Sequence, residues 1–171
     1  LDRPGEGEWS VLLPLLAQVT GSRWAALINP PLMPYAPALR RSGVDLERLL
    51  WLHDLDERET LWAAEQSLAT ECCGLALAWP DRVKPQTIRR LQLAAEANRA
   101  IGCLLRPRAA ARQHAHAAIR ASLSIYNGEP RIELLKLRGG NRFGPVALGD
   151  AAAPAVDSDD RPPAPANEAE G

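Results

Sequence analysis

Aromatic side chains are scarce in this 171-residue sequence: five Trp, two Tyr and one Phe, with a single Met beside them. Most of these rings lie away from the stretch where basic residues gather, which argues against a base-stacking platform for single-stranded nucleic acid there. Long apolar runs are missing too. The longest, Val11 to Val19, is interrupted by Pro14 and Gln18 and falls short of the ~18 residues of a membrane-spanning helix. Cysteine is limited to Cys72, Cys73 and Cys103. An odd count with an adjacent pair is no disulfide framework and reads as three reduced, mostly buried thiols. His114-x-His116 has no third ligand nearby, so no metal site is expected. No serine sits in a strand-turn-helix elbow, and the histidines form no triad. The chain begins at Leu1 with no charged-then-apolar leader, so its start is expected to be a truncation.

What is present is a globular composition, 46% hydrophobic, with a net charge of −1 that conceals an asymmetry. Residues 1–81 carry six basic and 12 acidic side chains, residues 82–142 carry 13 basic and three acidic, and residues 143–171 carry one basic and six acidic. A basic middle suggests an anionic partner; the alternative is arginines on solvated helix faces.

Apolar spacing predicts helices over about 9–20, 35–42, 57–70 and from Pro85 onward, with Pro14 close to the first turn of the first helix. All-apolar runs at 24–28, 49–52, 73–79 and 101–105 read as parallel strands covered on both faces. The alternation predicts an α/β fold, a mostly parallel sheet flanked by helices. Residues 119–126 and 131–138 alternate like half-buried strands around Asn127-Gly128, a strong hairpin signal. The doubled Leu134-Leu135 shifts the phase and predicts a bulge. A last strand is expected within 143–148, all three extending the sheet in antiparallel fashion. Residues 150–171, acidic and rich in Pro and Ala, are expected to be a disordered tail.

Before the first helix stands Gly5-Glu6-Gly7-Glu8-Trp9-Ser10, where a doubly wound fold places a phosphate-binding loop. Trp9 occupies the position of the phosphate-binding lysine, and Glu6 and Glu8 would set negative charge beside a triphosphate. The shape is kept and the chemistry is absent; a plain turn before a helix or a disordered start are the alternatives. The strand ending in Trp79-Pro80 lacks the acid that anchors Mg²⁺, and Asn29-Pro30-Pro31 lacks a water-activating carboxylate. No cofactor and no enzyme activity are expected. Arg89, Arg90, Arg99, Arg106, Arg108 and Arg112 are the candidates for binding DNA or an acidic partner. The tryptophans are expected mostly in the core, with Trp62 as the candidate interface residue.

Trp24-Ala-Ala-Leu-Ile-Asn-Pro-Pro31, Tyr35-Ala-Pro-Ala-Leu39 and Ser42-Gly-Val-Asp-Leu-Glu-Arg-Leu-Leu50 resemble the ImuA/SulA group of RecA-related bacterial SOS proteins. So do Leu75-Ala-Leu-Ala-Trp79, Arg89-Arg-Leu-Gln-Leu-Ala-Ala-Glu96 and Gly102-Cys-Leu-Leu-Arg-Pro107. The resemblance spans roughly residues 3–149 and implies a degenerate RecA-like domain over 1–149, with the family's first strand missing before Arg3. The three C-terminal strands favour the ImuA-like branch. That branch implies a non-catalytic accessory of translesion DNA synthesis, cytoplasmic and nucleoid-associated when active. Its implied partners are an ImuB-like polymerase homologue, an error-prone replicative-type DNA polymerase, RecA and DNA. The alternative is a SulA-type inhibitor that binds the division protein FtsZ and blocks septum assembly.

Overall fold

The computed structural model describes residues 7–112, 117–127, 129–138 and 146–147. Elements follow in the order α1 (Glu8–Thr20), β1 (Trp24–Ile28), α2 (Ala36–Arg41), β2 (Leu49–Leu52), α3 (Glu57–Leu68), β3 (Cys73–Ala78), α4 (Pro85–Ala97), β4 (Ile101–Leu104), β5 (Ile119–Tyr126), β6 (Glu129–Leu137) and β7 (Val146–Ala147). Short 3-10 turns at Leu46–Arg48 and Arg108–Arg112 precede β2 and follow β4.

The first four strands form a parallel sheet in the order β2-β1-β3-β4. Every residue of the central β3 is buried, which is why its sequence Cys-Gly-Leu-Ala-Leu-Ala does not alternate. Alternation survives as side-chain size. Ala25, Leu27, Leu75 and Leu77 face one way and pack with Leu12 and Leu16 of α1 and Leu39 of α2. Ala26, Ile28, Ala76 and Ala78 face the other way, against Ala63, Ala64 and Leu68 of α3 and Leu91 of α4. The alanines let α3 and α4 sit close to the sheet. A Cβ on Gly102 would lie 2.9 Å from Leu68 Cδ1, so that approach is tight.

Local chemistry explains the helix boundaries. Asp56 caps α3 by accepting from the Glu59 amide at 2.7 Å, while the Glu59 carboxylate accepts from the Asp56 amide at 2.9 Å. Gly43 ends the α2 turn at φ 84°, a conformation that favours glycine. Pro14 lies inside α1 rather than at its first turn, because the helix begins at Glu8. An interior proline costs about 3 kcal/mol. Burial of Leu12 and Leu16 at 4% and 0% exposure offsets it, since each such side chain stabilises by roughly 1.5–3 kcal/mol.

Two expectations need correction. The C-terminal strands do not extend the parallel sheet but form a second one, β5-β6-β7. The hairpin β5–β6 buries no residue fully. Its register carries the anticipated bulge at Leu135: Arg120 pairs with Lys136, and Ala121 with Leu134. Within the parallel sheet β3 and β4 pair directly from Leu75↔Ile101 to Ala78↔Leu104. Finally, most of the tryptophans are not core residues, although Trp9 and Trp79 pack against the core on the α1 side of the sheet. Trp24, Trp51 and Trp62 are exposed, and Trp9 and Trp79 are half-buried. Short strands and small helix-facing residues leave too little depth to enclose an indole.

Among the described residues no helix is long and apolar enough to cross a membrane. Residues 150–171 and His114 and His116 lie outside the described residues.

Candidate functional site

Open α/β sheets present ligands and partners at the carboxyl ends of their strands. Here β1 exits into Asn29, held at φ 55°. The Asn29 amide donates to the Leu52 carbonyl at 2.7 Å and its side-chain Nδ2 donates to the Leu55 carbonyl at 3.0 Å. Beyond this anchor, Pro30, Pro31 and Pro34 have no N–H to lend to a strand or helix. The loop therefore stands away from the body. It leaves Leu32 at 58%, Met33 at 77% and Tyr35 at 51% exposure.

This apolar loop runs directly into α2. A groove of about 380 Å³ is lined there by Ala36, Pro37, Arg40, Arg41 and Leu46. Its far wall is fixed to the end of α1. Thr20 Oγ1 accepts from the Asp45 amide at 3.0 Å, and Arg48 donates to the Thr20 and Gly21 carbonyls at 3.1 and 3.0 Å. The result is a firm surface: apolar at its centre, basic at one rim through Arg40 and Arg41, and suited to a partner with apolar and acidic character. Sequence reasoning missed it. The signal was available in Pro-Pro-Leu-Met-Pro-Tyr, where two large apolar residues sit between prolines that keep them out of any regular element.

The anticipated phosphate loop is described only from Gly7 onward. Gly5 and Glu6 lie outside the described residues. Gly7 is the N-cap of α1 at φ 83°, and Ser10 donates its amide to the Gly7 carbonyl at 3.1 Å. A Cβ at Gly7 would meet Ile125 Cδ1 at 2.9 Å and Pro130 Cβ at 3.1 Å, so the tip of the β5–β6 hairpin lies over the helix N-terminus. Glu8 is 3% exposed. The Trp9 ring is 6.2 Å from that of Trp79, the residue at the end of β3.

The six arginines are not brought to one face. Arg89 and Arg90 project from α4, and Arg90 pairs with Glu65 of α3 at 2.6 Å. Arg99 precedes β4, so it lies at the amino edge of the sheet, and its carbonyl accepts from Arg23 at 2.9 Å. Arg106 follows β4 at the opposite edge and donates to the Asp81 carbonyl at 3.3 Å. Burial, then the neighbouring Arg120, push the Arg106 pKa down. Arg108 is exposed at the start of the 3-10 turn, and Arg112 ends that turn with its side chain outside the described residues. Trp62 is 62% exposed on α3.

All three cysteines are free thiols: Cys72 exposed, Cys73 buried and Cys103 partly buried. Burial raises the Cys73 pKa and pushes that of Cys103 up to about 11. Both are poor nucleophiles near neutrality. No cluster of three metal-ligating side chains occurs among the described residues.

Residues 3–102 match the family model "Cell division inhibitor SulA". A SulA from Edwardsiella piscicida is 34% identical over 120 residues, covering 66% of this chain and 71% of that protein. One from Pectobacterium atrosepticum is 33% identical over 102 residues, covering 58% and 61%. The chain thus spans about six tenths of the length of the first curated relatives it matches. The crystal structure of SulA from Pseudomonas aeruginosa matches with a TM-score of 0.50 at 26% identity, over 57% of this chain and 85% of that one. The mixed α/β architecture agrees with that neighbour.

These matches overturn the ImuA-like expectation. That expectation rested on the three C-terminal strands, but the family match ends at residue 102, before they begin. The strands form their own sheet and say nothing about which branch the parallel core belongs to. With the ImuA reading go the translesion-synthesis role and its implied partners, the ImuB-like polymerase homologue, the error-prone polymerase, RecA and DNA.

Proposed function

Since the chain belongs to the SulA family of cell division inhibitors, we propose that it is a non-catalytic inhibitor that docks on the division protein FtsZ and blocks septum assembly. The observation that carries the reading is the exposed run Leu32, Met33 and Tyr35 leading into the groove along α2. It lies within the region matched by the family model. An apolar patch beside a basic rim is what a partner-binding surface requires and what a solitary soluble domain avoids. Arg40 and Arg41 steer the encounter, and the apolar loop holds the complex.

The finer fold reading, a RecA-like domain without its nucleotide chemistry, is part of the same proposal. Ile125 and Pro130 close over Gly7, where phosphates would approach the helix N-terminus. Trp9 turns toward Trp79 instead of toward an anion. Both support a protein that works by docking, without a nucleotide.

The test is assembly of purified FtsZ with GTP, followed by sedimentation. Wild-type protein should suppress polymer, and the double variant Met33→Asp, Arg40→Glu should need roughly tenfold more protein for the same effect, because a desolvated anchor and a steering charge are both lost. Polymer yield unchanged by excess wild-type protein would refute the function. Equal inhibition by wild type and variant would refute the surface.

A further inference from the structure

The loop that carries Leu32, Met33 and Tyr35 hangs between two supports. At its far end the Tyr35 carbonyl accepts from the Ala38 and Leu39 amides at 3.0 and 3.1 Å, which begins α2. From Pro30 to Pro34 no backbone hydrogen bond is made among the described residues. Three of those five residues are prolines, with no N–H to give. What aims the near end of the loop therefore acts at Asn29.

Asn29 is suited to that task. It stands at φ 55°, a left-handed conformation in which asparagine is enriched several-fold over most side chains. Its carboxamide meets the peptide groups of Leu55: Nδ2 donates to the Leu55 carbonyl at 3.0 Å, and Oδ1 accepts from the Leu55 amide at 3.4 Å. Few side chains can do both, because donor and acceptor must lie side by side at the end of a short stem. Leu55 is a firm post. It packs against the core on the α3 side of the sheet, and the next residue, Asp56, caps α3. The clasp thus ties the root of the loop to the start of α3, across the carboxyl ends of β1 and β2.

We propose that Asn29 is a positioning residue for partner binding: its clasp on Leu55 holds the loop in the direction from which Leu32, Met33 and Tyr35 dock. The inference rests on the FtsZ-binding reading of that loop. Its physical content is pre-organisation. A loop held in its bound direction before the encounter loses less conformational freedom on docking, so the same contacts bind more tightly.

The experiment is the FtsZ sedimentation assay with the full chain and two variants. Asn29→Gly tolerates the left-handed backbone and removes the clasp. Asn29→Asp keeps the shape and the acceptor, loses the donor, and sets a negative charge against the Leu55 carbonyl. Each should need about fivefold more protein to suppress polymer to the same extent, the size expected for one lost hydrogen bond. A double-mutant cycle separates positioning from stability. On a Met33→Asp background Asn29→Gly should cost little more, because a misaimed loop forfeits only what its anchor supplies. Urea melts show which variants are folded at the assay temperature, and if one is not, the other carries the test. Inhibition by the folded variants equal to that of wild type would overturn the proposal. So would a loss of the same size on both backgrounds, which would leave Asn29 a structural role alone. Wild-type protein without effect on FtsZ is seen before any variant is made; it would refute the docking reading itself, and this inference with it.

Discussion

The guanidinium of Arg23 donates to the Cys73 carbonyl at 2.7 Å, joining the residue before β1 to the first residue of β3. The same group donates to the Glu71 carbonyl at 2.7 Å, the Arg99 carbonyl at 2.9 Å and the Asn98 carbonyl at 3.1 Å. One planar fork thus gathers the end of α4 and the approach to β3 at the amino edge of the sheet. Hydrogen bonds from a charged donor contribute about 1.5–3 kcal/mol each when shielded, and less where partly exposed as here.

Arg23→Ala should therefore lower unfolding free energy by roughly 2 kcal/mol. Arg23→Lys should recover less than half of that, because an ammonium lacks the fork that reaches four carbonyls. Urea denaturation of the three proteins checks this; a lysine variant as stable as wild type would show that charge alone suffices.

Gly7 and Gly43 separate backbone strain from steric contact. Both sit at positive φ, 83° and 84°. A Cβ at Gly43 meets only Ala17 Cβ at 3.6 Å, an ordinary contact, whereas one at Gly7 meets Ile125 Cδ1 at 2.9 Å. Gly43→Ala should cost about 1 kcal/mol. Gly7→Ala should cost more and should also raise hydrogen exchange in β5 and β6, because the hairpin tip has to shift. Unchanged exchange in the hairpin would mean that its tip does not depend on Gly7.

Cys103 links stability to alkaline pH. Its thiol is held protonated by burial, with a pKa raised from 9.0 to about 11. Above pH 9 the unfolded chain loses this proton while the folded chain keeps it, so unfolding gains. The contribution is complete below pH 9 and is lost as pH rises toward 11. In Cys103→Ala the decline in melting temperature between pH 9 and 11 should be shallower than in wild type. At pH 8 a thiol reagent should modify exposed Cys72 well before Cys73 or Cys103.

Asp56→Ala should destabilise by about 1 kcal/mol, because it removes the side-chain oxygen that accepts from the Glu59 amide at the start of α3. Asp56→Ser should restore most of the loss. Thermal melts distinguish the two outcomes, and equal losses would assign the effect to charge instead of capping.

Much of the order of elements was legible because the signals are local. Pro85 at the first residue of α4, Gly43 after α2 and Asp56 before Glu59 mark boundaries by backbone chemistry that acts within a few residues. The bulge was legible for the same reason, since Leu134-Leu135 breaks a two-residue period. The candidate surfaces were legible only in part. The loop Leu32–Tyr35 went unremarked, and the six arginines read in sequence as one basic stretch.

What the sequence determined by itself was therefore the alternation of helices and strands and the caps and turns that bound them. Tertiary structure alone decided that β5, β6 and β7 form a separate sheet, because strand partners are chosen by long-range pairing that no local pattern encodes. It alone decided that Arg99 and Arg106, seven positions apart, lie at opposite edges of the parallel sheet: the whole length of β4 runs between them. And it alone joined α3 to α4 through the Glu65–Arg90 ion pair, because two side chains 25 positions apart meet only once both helices pack on the same face of the sheet.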